Sequence, residues 1–225
     1  MKKLLEGLHR FQQDWFSPRQ EFFARLADGQ HPETLFITCS DSRINPNLLT
    51  QTGPGDLFIL RNAGNLVPRH GEGSSGEEAT IEYAVKALGV REIVMCGHSH
   101  CGAMKALLNP SDTDSLPSVR AWLEHAKATR AFMDEHHPEL EGPARLLATV
   151  QANVLVQLDH LRSLPAVAEA LEAHQLRLYG WVYHLETGDV QEFDPKLGQF
   201  RSLGAPSPVA APPSARAIDP KGFSI

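Results

Sequence analysis

The sequence predicts an α/β fold: a mostly parallel central sheet flanked by helices, with an N-terminal helical arm and a C-terminal antiparallel hairpin. Short apolar, β-branched runs alternate with segments of helical period, the pattern of a parallel sheet with crossover helices. Two amphipathic segments precede the first such run. A Thr187-Gly188-Asp189 turn joins the last two runs, which marks a hairpin.

Residues 3–16 and 18–28 read as two helices, because Leu4, Leu5, Leu8, Phe11, Trp15 and then Phe22, Phe23, Leu26 recur at helical spacing. Pro18 marks the start of the second. Thr34–Ser40 (TLFITCS) reads as a buried strand and Asp56–Arg61 (DLFILR) as another. A helix over 75–89 follows, with Ile81, Ala84, Val85 and Leu88 as its apolar stripe. Ser74 or Ser75, with Glu77 or Glu78 three residues on, supplies a capping box. Arg91–Gly97 (REIVMCG) is the third strand. Residues 143–162 form a helix with Leu147, Val150, Val154, Leu158 and Leu161 on one face. Leu176–Leu185 and Val190–Phe193 are the hairpin strands. From Gly204 the chain turns to Pro, Ala and Ser and reads as a tail, 204–225, in which Ile218, Phe223 and Ile225 are the candidates for docking.

The 225 residues suit one α/β domain, 29–203, with the arm, 1–28, and the tail as appendages. A net charge of −6 argues against a nucleic-acid partner. No apolar run approaches the ~18 residues of a membrane span. Glu6, His9 and Arg10 interrupt the apolar start, so no signal peptide is expected and the chain is placed in the cytoplasm. Three cysteines are too few for a disulfide scaffold, and metal binding is the better expectation in a reducing compartment.

Two clusters carry chemistry. Cys39-Ser40-Asp41-Ser42-Arg43 ends the first strand, and Gly97-His98-Ser99-His100-Cys101-Gly102 ends the third. In parallel sheets both ends fall on the ligand-binding edge. Cys39, His98 and Cys101 then make a Cys₂His set, which suits Zn²⁺ and leaves a fourth position for water, the mark of a catalytic site. His98 is preferred to His100, because His100 and Cys101 are adjacent and neighbouring side chains rarely converge on one ion. Cys96 competes for the metal but fits a buried core cysteine better. A nucleophilic Cys39 is the other reading; Asp41 beside it weighs against that, since a carboxylate raises the thiol pKa and repels phosphate.

Cys-x-Asp-x-Arg followed by His-x-x-Cys resembles the signature of the β-class carbonic anhydrases, and Arg61-Asn62-Ala63-Gly64-Asn65 resembles a third block of that family. The resemblance runs from about Leu4 to Phe200. The N-terminal helices, GHSHCGAMK (97–105) and YGWVYHLETGDV (179–190) look like cyanobacterial carboxysome-associated members. The resemblance implies reversible hydration of CO₂ to bicarbonate and a proton by a zinc-bound hydroxide, with one zinc per chain. Asp41 is then the acceptor that orients the hydroxide, and Arg43 holds Asp41 in a bidentate pair. The family's CO₂ pocket maps by position onto Gln30, Phe58, Ala63 and Tyr83, with Gly102 beside it. The family also implies a homodimer or larger homo-oligomer whose N-terminal helices embrace the partner, and a carboxysome scaffold protein as a candidate partner. Eleven histidines offer no spacing that selects a proton shuttle.

A CS₂ or COS hydrolase would share every zinc residue, and a vestigial scaffold protein would keep the site without using it. Members shut off by bicarbonate resemble one another in a tryptophan three residues before the first zinc cysteine. Phe36 stands there in this chain, without an N–H to offer an anion. Arg61 matches the arginine of that pocket but also a motif shared by unregulated members. An open site at neutral pH, with Asp41 off the metal, is expected.

Overall fold

The computed structural model describes residues 1–72 and 75–204. Helix α1 (Lys2–Arg10) runs through a π-helical stretch (Phe11–Phe16) and a 3₁₀ turn (Ser17–Arg19) into α2 (Gln20–Ala27). Pro18 does not start the second helix, as its sequence position suggested. It lies inside the 3₁₀ turn, at an early position that tolerates its missing N–H. Ser17 Oγ and Arg19 Nη1 donate to the carbonyls of Gln12, Asp14 and Trp15 across these irregular turns.

Strand β1 (Thr34–Cys39) is buried on both faces, the property that makes it readable as a central strand. Asn45 caps α3 (Pro46–Thr50) by accepting the Leu48 N–H. Strand β2 (Leu57–Asn62) follows. The Ser75 side chain accepts the Glu78 N–H and so caps α4 (Gly76–Glu82). The expected capping box is only half made, because the Glu78 carboxylate turns to His70 instead. The helix expected over 75–89 is regular only to Glu82 and finishes as a π turn, Tyr83–Ala87.

Strand β3 (Glu92–His98) leads into four helices, of which the sequence reading lacked the first three and placed the fourth at 143–162. These are α5 (Gly102–Leu108), α6 (Pro117–Leu123), α7 (Lys127–His136) and the long α8 (Gly142–Ser163). Helix α9 (Pro165–Glu172) then returns the chain to β4 (Arg177–Tyr183), β5 (Val190–Asp194) and β6 (Gln199–Ser202). The terminal hairpin is therefore a three-stranded meander, with Gly188 at φ +75° supplying the turn between β4 and β5.

The sheet runs β2-β1-β3-β4-β5-β6. The first four strands are parallel and the last two pairings antiparallel. Helix α8 crosses β3 and β4 and also meets α5, α7 and α9. It was expected to bury one face. Instead every residue from Ala148 to Leu158 is buried, including Thr149, Gln151, Asn153 and Gln157. Gly97 and Gly180 permit this close crossing: a Cβ on Gly97 would stand 2.9 Å from Val154, and one on Gly180 would stand 3.0 Å from Leu158.

The arm is different. No residue of α1, α2 or the turns between them is buried, and Leu4, Leu5, Leu8, Phe11, Trp15 and Phe16 are exposed. Phe11, Phe16, Phe22 and Phe23 stack on one another rather than on the sheet. Among the described residues, no helix is long and apolar enough to cross a membrane. The tail reading for 205–225, with Ile218, Phe223 and Ile225, lies outside the described residues.

Candidate active site

Strands β1 and β3 are parallel neighbours with Thr38 opposite Cys96. Their C-terminal ends therefore release Cys39 and His98 on the same edge of the sheet, and the turn after β3 brings Cys101 back to them. Ligand atoms of Cys39, His98 and Cys101 lie within 4.8 Å of one another, and all three residues are buried. His98 Nδ1 donates to the Ser99 carbonyl at 2.8 Å. That bond fixes the tautomer and leaves the Nε2 lone pair free. Nε2 is buried without a hydrogen-bond partner, a costly state that a cation would relieve.

The thiols are matched to the same end. Cys101 beside it, with the Gly64 N–H, holds the Cys39 thiol well below its usual range against the opposing effect of burial. The neighbouring Cys39, joined by burial, pushes the Cys101 thiol up. Two buried sulfurs beside one imidazole are a donor set that a soft divalent cation can occupy. The donor set fits Zn²⁺.

Asp41 stands beside this cluster, with Oδ2 at 3.9 Å from His98 Nε2. Arg43 grips it in the expected bidentate pair: Nε to Oδ1 at 2.9 Å and Nη2 to Oδ2 at 2.7 Å, with the Arg43 N–H adding a third bond to Oδ1 at 3.0 Å. These bonds hold the Asp41 carboxyl far below the ordinary carboxylate range. Arg43 Nη2 also donates to the His100 carbonyl at 3.2 Å. Arg61 braces the same loop, donating to the carbonyls of Cys39 at 3.1 Å and Asp41 at 2.8 Å. Two of its donors are thus spent on backbone.

The remaining residues sort by position. Phe58 and Tyr83 come together, ring centroids 6.1 Å apart. Ala63 is exposed, and its carbonyl accepts the Trp122 indole N–H at 2.8 Å. Gly102 starts α5 directly after Cys101. Gln30 lies exposed between α2 and β1, without a hydrogen-bond partner among the described residues. His100 is exposed and left-handed, at φ +57°. Cys96 is fully buried with Phe36 and Val94, and its Sγ donates to the Gly97 carbonyl. Phe36 packs edge-on against Trp181, centroids 6.0 Å apart.

Two features escaped the sequence reading. The Gly64 N–H donates to Cys39 Sγ at 3.4 Å. Behind it, Asn153 on α8 donates to the Gly64 carbonyl, and Gln157 accepts the Val67 N–H and donates to Asn153. A backbone donor leaves no mark in a sequence, and polar residues inside a helix read as its solvent face.

A family model described as carbonic anhydrase matches residues 34–190. A carbonic anhydrase of Pseudomonas aeruginosa is 47% identical over 218 residues, 97% of this chain and 96% of that one. The solved structure of the β-carbonic anhydrase CcaA superposes with a TM-score of 0.89 at 44% identity, over 92% of this chain and 93% of that one. Two tetrameric β-carbonic anhydrases of the ascomycete Sordaria macrospora give a structure matching with a TM-score of 0.76 at 29% identity, over 91% of this chain and 96% of that one. Family model, sequence identity and superposed fold agree, and the chain belongs to the β-class carbonic anhydrases.

Proposed function

We propose that this chain hydrates CO₂ reversibly, using one zinc ion held by Cys39, His98 and Cys101. The observation that carries the reading is the unpartnered Nε2 of buried His98, facing two buried sulfurs. Bound zinc supplies acidity: it brings the pKa of a coordinated water to about 7, a reference value that itself comes from a carbonic anhydrase with a different ligand set.

The chain's own groups do the rest. Asp41 stays ionised, because Arg43 donates to both of its oxygens. Oδ1 accepts two bonds and Oδ2 one, which leaves an acceptor site on the oxygen nearer His98. That site takes the hydrogen of the attacking oxygen and turns its lone pair toward CO₂. Phe58 and Tyr83 offer an apolar wall to the substrate. Gln30 donates to a CO₂ oxygen, with Ala63 and Gly102 leaving room. Bicarbonate and one proton leave. The pairing of Asp41 with Arg43 also supports an open resting site. Phe36 offers no indole N–H to an anion and Arg61 is engaged with backbone, so bicarbonate is not expected to inhibit cooperatively.

The exposed apolar stripe of the arm supports a homo-oligomer in which α1 and α2 cover a second copy. Metal analysis with stopped-flow CO₂ hydration tests the whole reading. About one zinc per chain and fast hydration, both lost in Cys39→Ser, are expected. A metal-free chain that still hydrates CO₂ would refute it, as would release of sulfide from COS without CO₂ turnover.

A further inference from the structure

Glu186 lies in the turn between β4 and β5, outside the two clusters that carry the chemistry. Its side chain is 39% exposed, yet both oxygens face the turn that follows β3. Oε2 accepts the Ser99 hydroxyl at 2.6 Å, and Oε1 lies 3.5 Å from His100 Nε2. Such a short bond to an ionised acceptor is stronger than one between neutral groups. Ser99 is committed on every side. Its N–H donates to the Tyr183 carbonyl at 2.9 Å, and its Oγ accepts the Leu185 N–H at 2.9 Å. Its carbonyl accepts His98 Nδ1 at 2.8 Å.

The next carbonyl, of His100, accepts Arg43 Nη2. Consecutive carbonyls of one turn thus hold a metal-ligand ring and the arginine that grips Asp41. That turn does not hold itself, since His100 sits at φ +57°, a region that residues with a Cβ disfavour.

We infer that Glu186 is a positioning residue: through Ser99 it locks the turn whose carbonyls aim His98 at the metal and keep Arg43 on Asp41. The inference rests on the zinc reading above. It accounts for a carboxylate that touches no ligand and makes no ion pair with Lys or Arg among the described residues. Partners one step removed from a metal typically matter by 10–100-fold in affinity or activity.

The test uses the full zinc-loaded chain as wild type, Glu186→Ala, Glu186→Gln, Ser99→Ala and the Glu186→Ala/Ser99→Ala double variant. Zinc release to excess chelator, kcat and KM for CO₂, and melting temperature are measured. Glu186→Ala is expected to release zinc about 10-fold faster, and to lose kcat with little change in KM. Glu186→Gln keeps an amide oxygen for the Ser99 hydroxyl and is expected to recover most of both. The double variant is expected to release zinc no faster than Ser99→Ala, because both substitutions break the same bond. Wild-type release in Glu186→Ala would overturn the inference. So would Glu186→Gln as impaired as Glu186→Ala, or additive losses in the double variant. A wild-type chain without zinc would overturn the metal reading, and this inference with it, and metal analysis of that one sample separates the two failures.

Discussion

Cys96, inside β3, and Cys101, on the turn that follows it, meet opposite surroundings. Burial pushes the Cys96 thiol up to about 12, so it stays a neutral core side chain. Cys101 faces another thiol and an unpartnered imidazole. Cys39→Ser, His98→Ala and Cys101→Ser are each expected to strip zinc, while Cys96→Ser and His100→Ala keep it, as native mass spectrometry will show. Asp41→Asn is expected to retain zinc and lose at least about 10-fold in kcat/KM, since the amide is a poorer acceptor and repels Arg43 with its NH₂. Asp41's folded pKa is depressed, chiefly by the Arg43 side chain. Its share of stability is therefore present above the unfolded carboxylate pKa and is lost only as pH falls through the lower folded value. Asp41 should add no inflection to the pH–rate profile between about pH 5 and 8. The ligands were legible because thiols and an imidazole at such spacing have few other uses. Gly64, Ser99 and Glu186 were not, because a backbone N–H, a hydroxyl and a hairpin carboxylate look alike everywhere.

Helix α8 sets the geometry under the site. Its valines press on Gly97, one residue before His98. Gly97→Ala must push the helix off the sheet, at a cost of about 1–3 kcal/mol, and should shift His98 and weaken zinc retention with it. Denaturation midpoints of the variant and its zinc content check both. On the same helix, His160 donates from Nδ1 to the Val67 carbonyl at 2.7 Å, and burial holds its pKa below the ordinary imidazole value. The unfolded chain then takes up a proton that the folded one refuses, so stability falls as pH drops below about 6.5. His160→Gln should flatten the decline in urea midpoint between about pH 7.5 and 5.5. Strands β1, β2 and β3 could be read because their apolar runs are short and bounded. Helices α5, α6, α7 and α9 are short, and mixed burial blurs their period, while β6 has only four residues. The buried polar residues of α8 hid its central place.

The arm leaves apolar surface uncovered. Leu4 and Trp15 are 70% and 56% exposed, more apolar surface than an isolated helix keeps without a partner. Deleting residues 2–27, or introducing Leu8→Glu, is expected to shift sedimentation toward a smaller species, with the fold of 29–203 retained. The arm was legible as amphipathic helices, but a single chain cannot say which surface it covers. Likeness to cyanobacterial members suggested a carboxysome setting. A Pseudomonas aeruginosa relative is 47% identical over 97% of the chain, so that likeness is not confined to cyanobacterial proteins. Finally, the chain holds three tryptophans. Trp122 and Trp181 donate inside their own chain, to Ala63 and Glu192. Trp15 is 56% exposed, its ring lies 4.7 Å from the Arg19 guanidinium, and its indole N–H has no hydrogen-bond partner among the described residues. Its ultraviolet emission should therefore move to shorter wavelength as chains associate on dilution series run in reverse, a native optical gauge of self-association that needs no label.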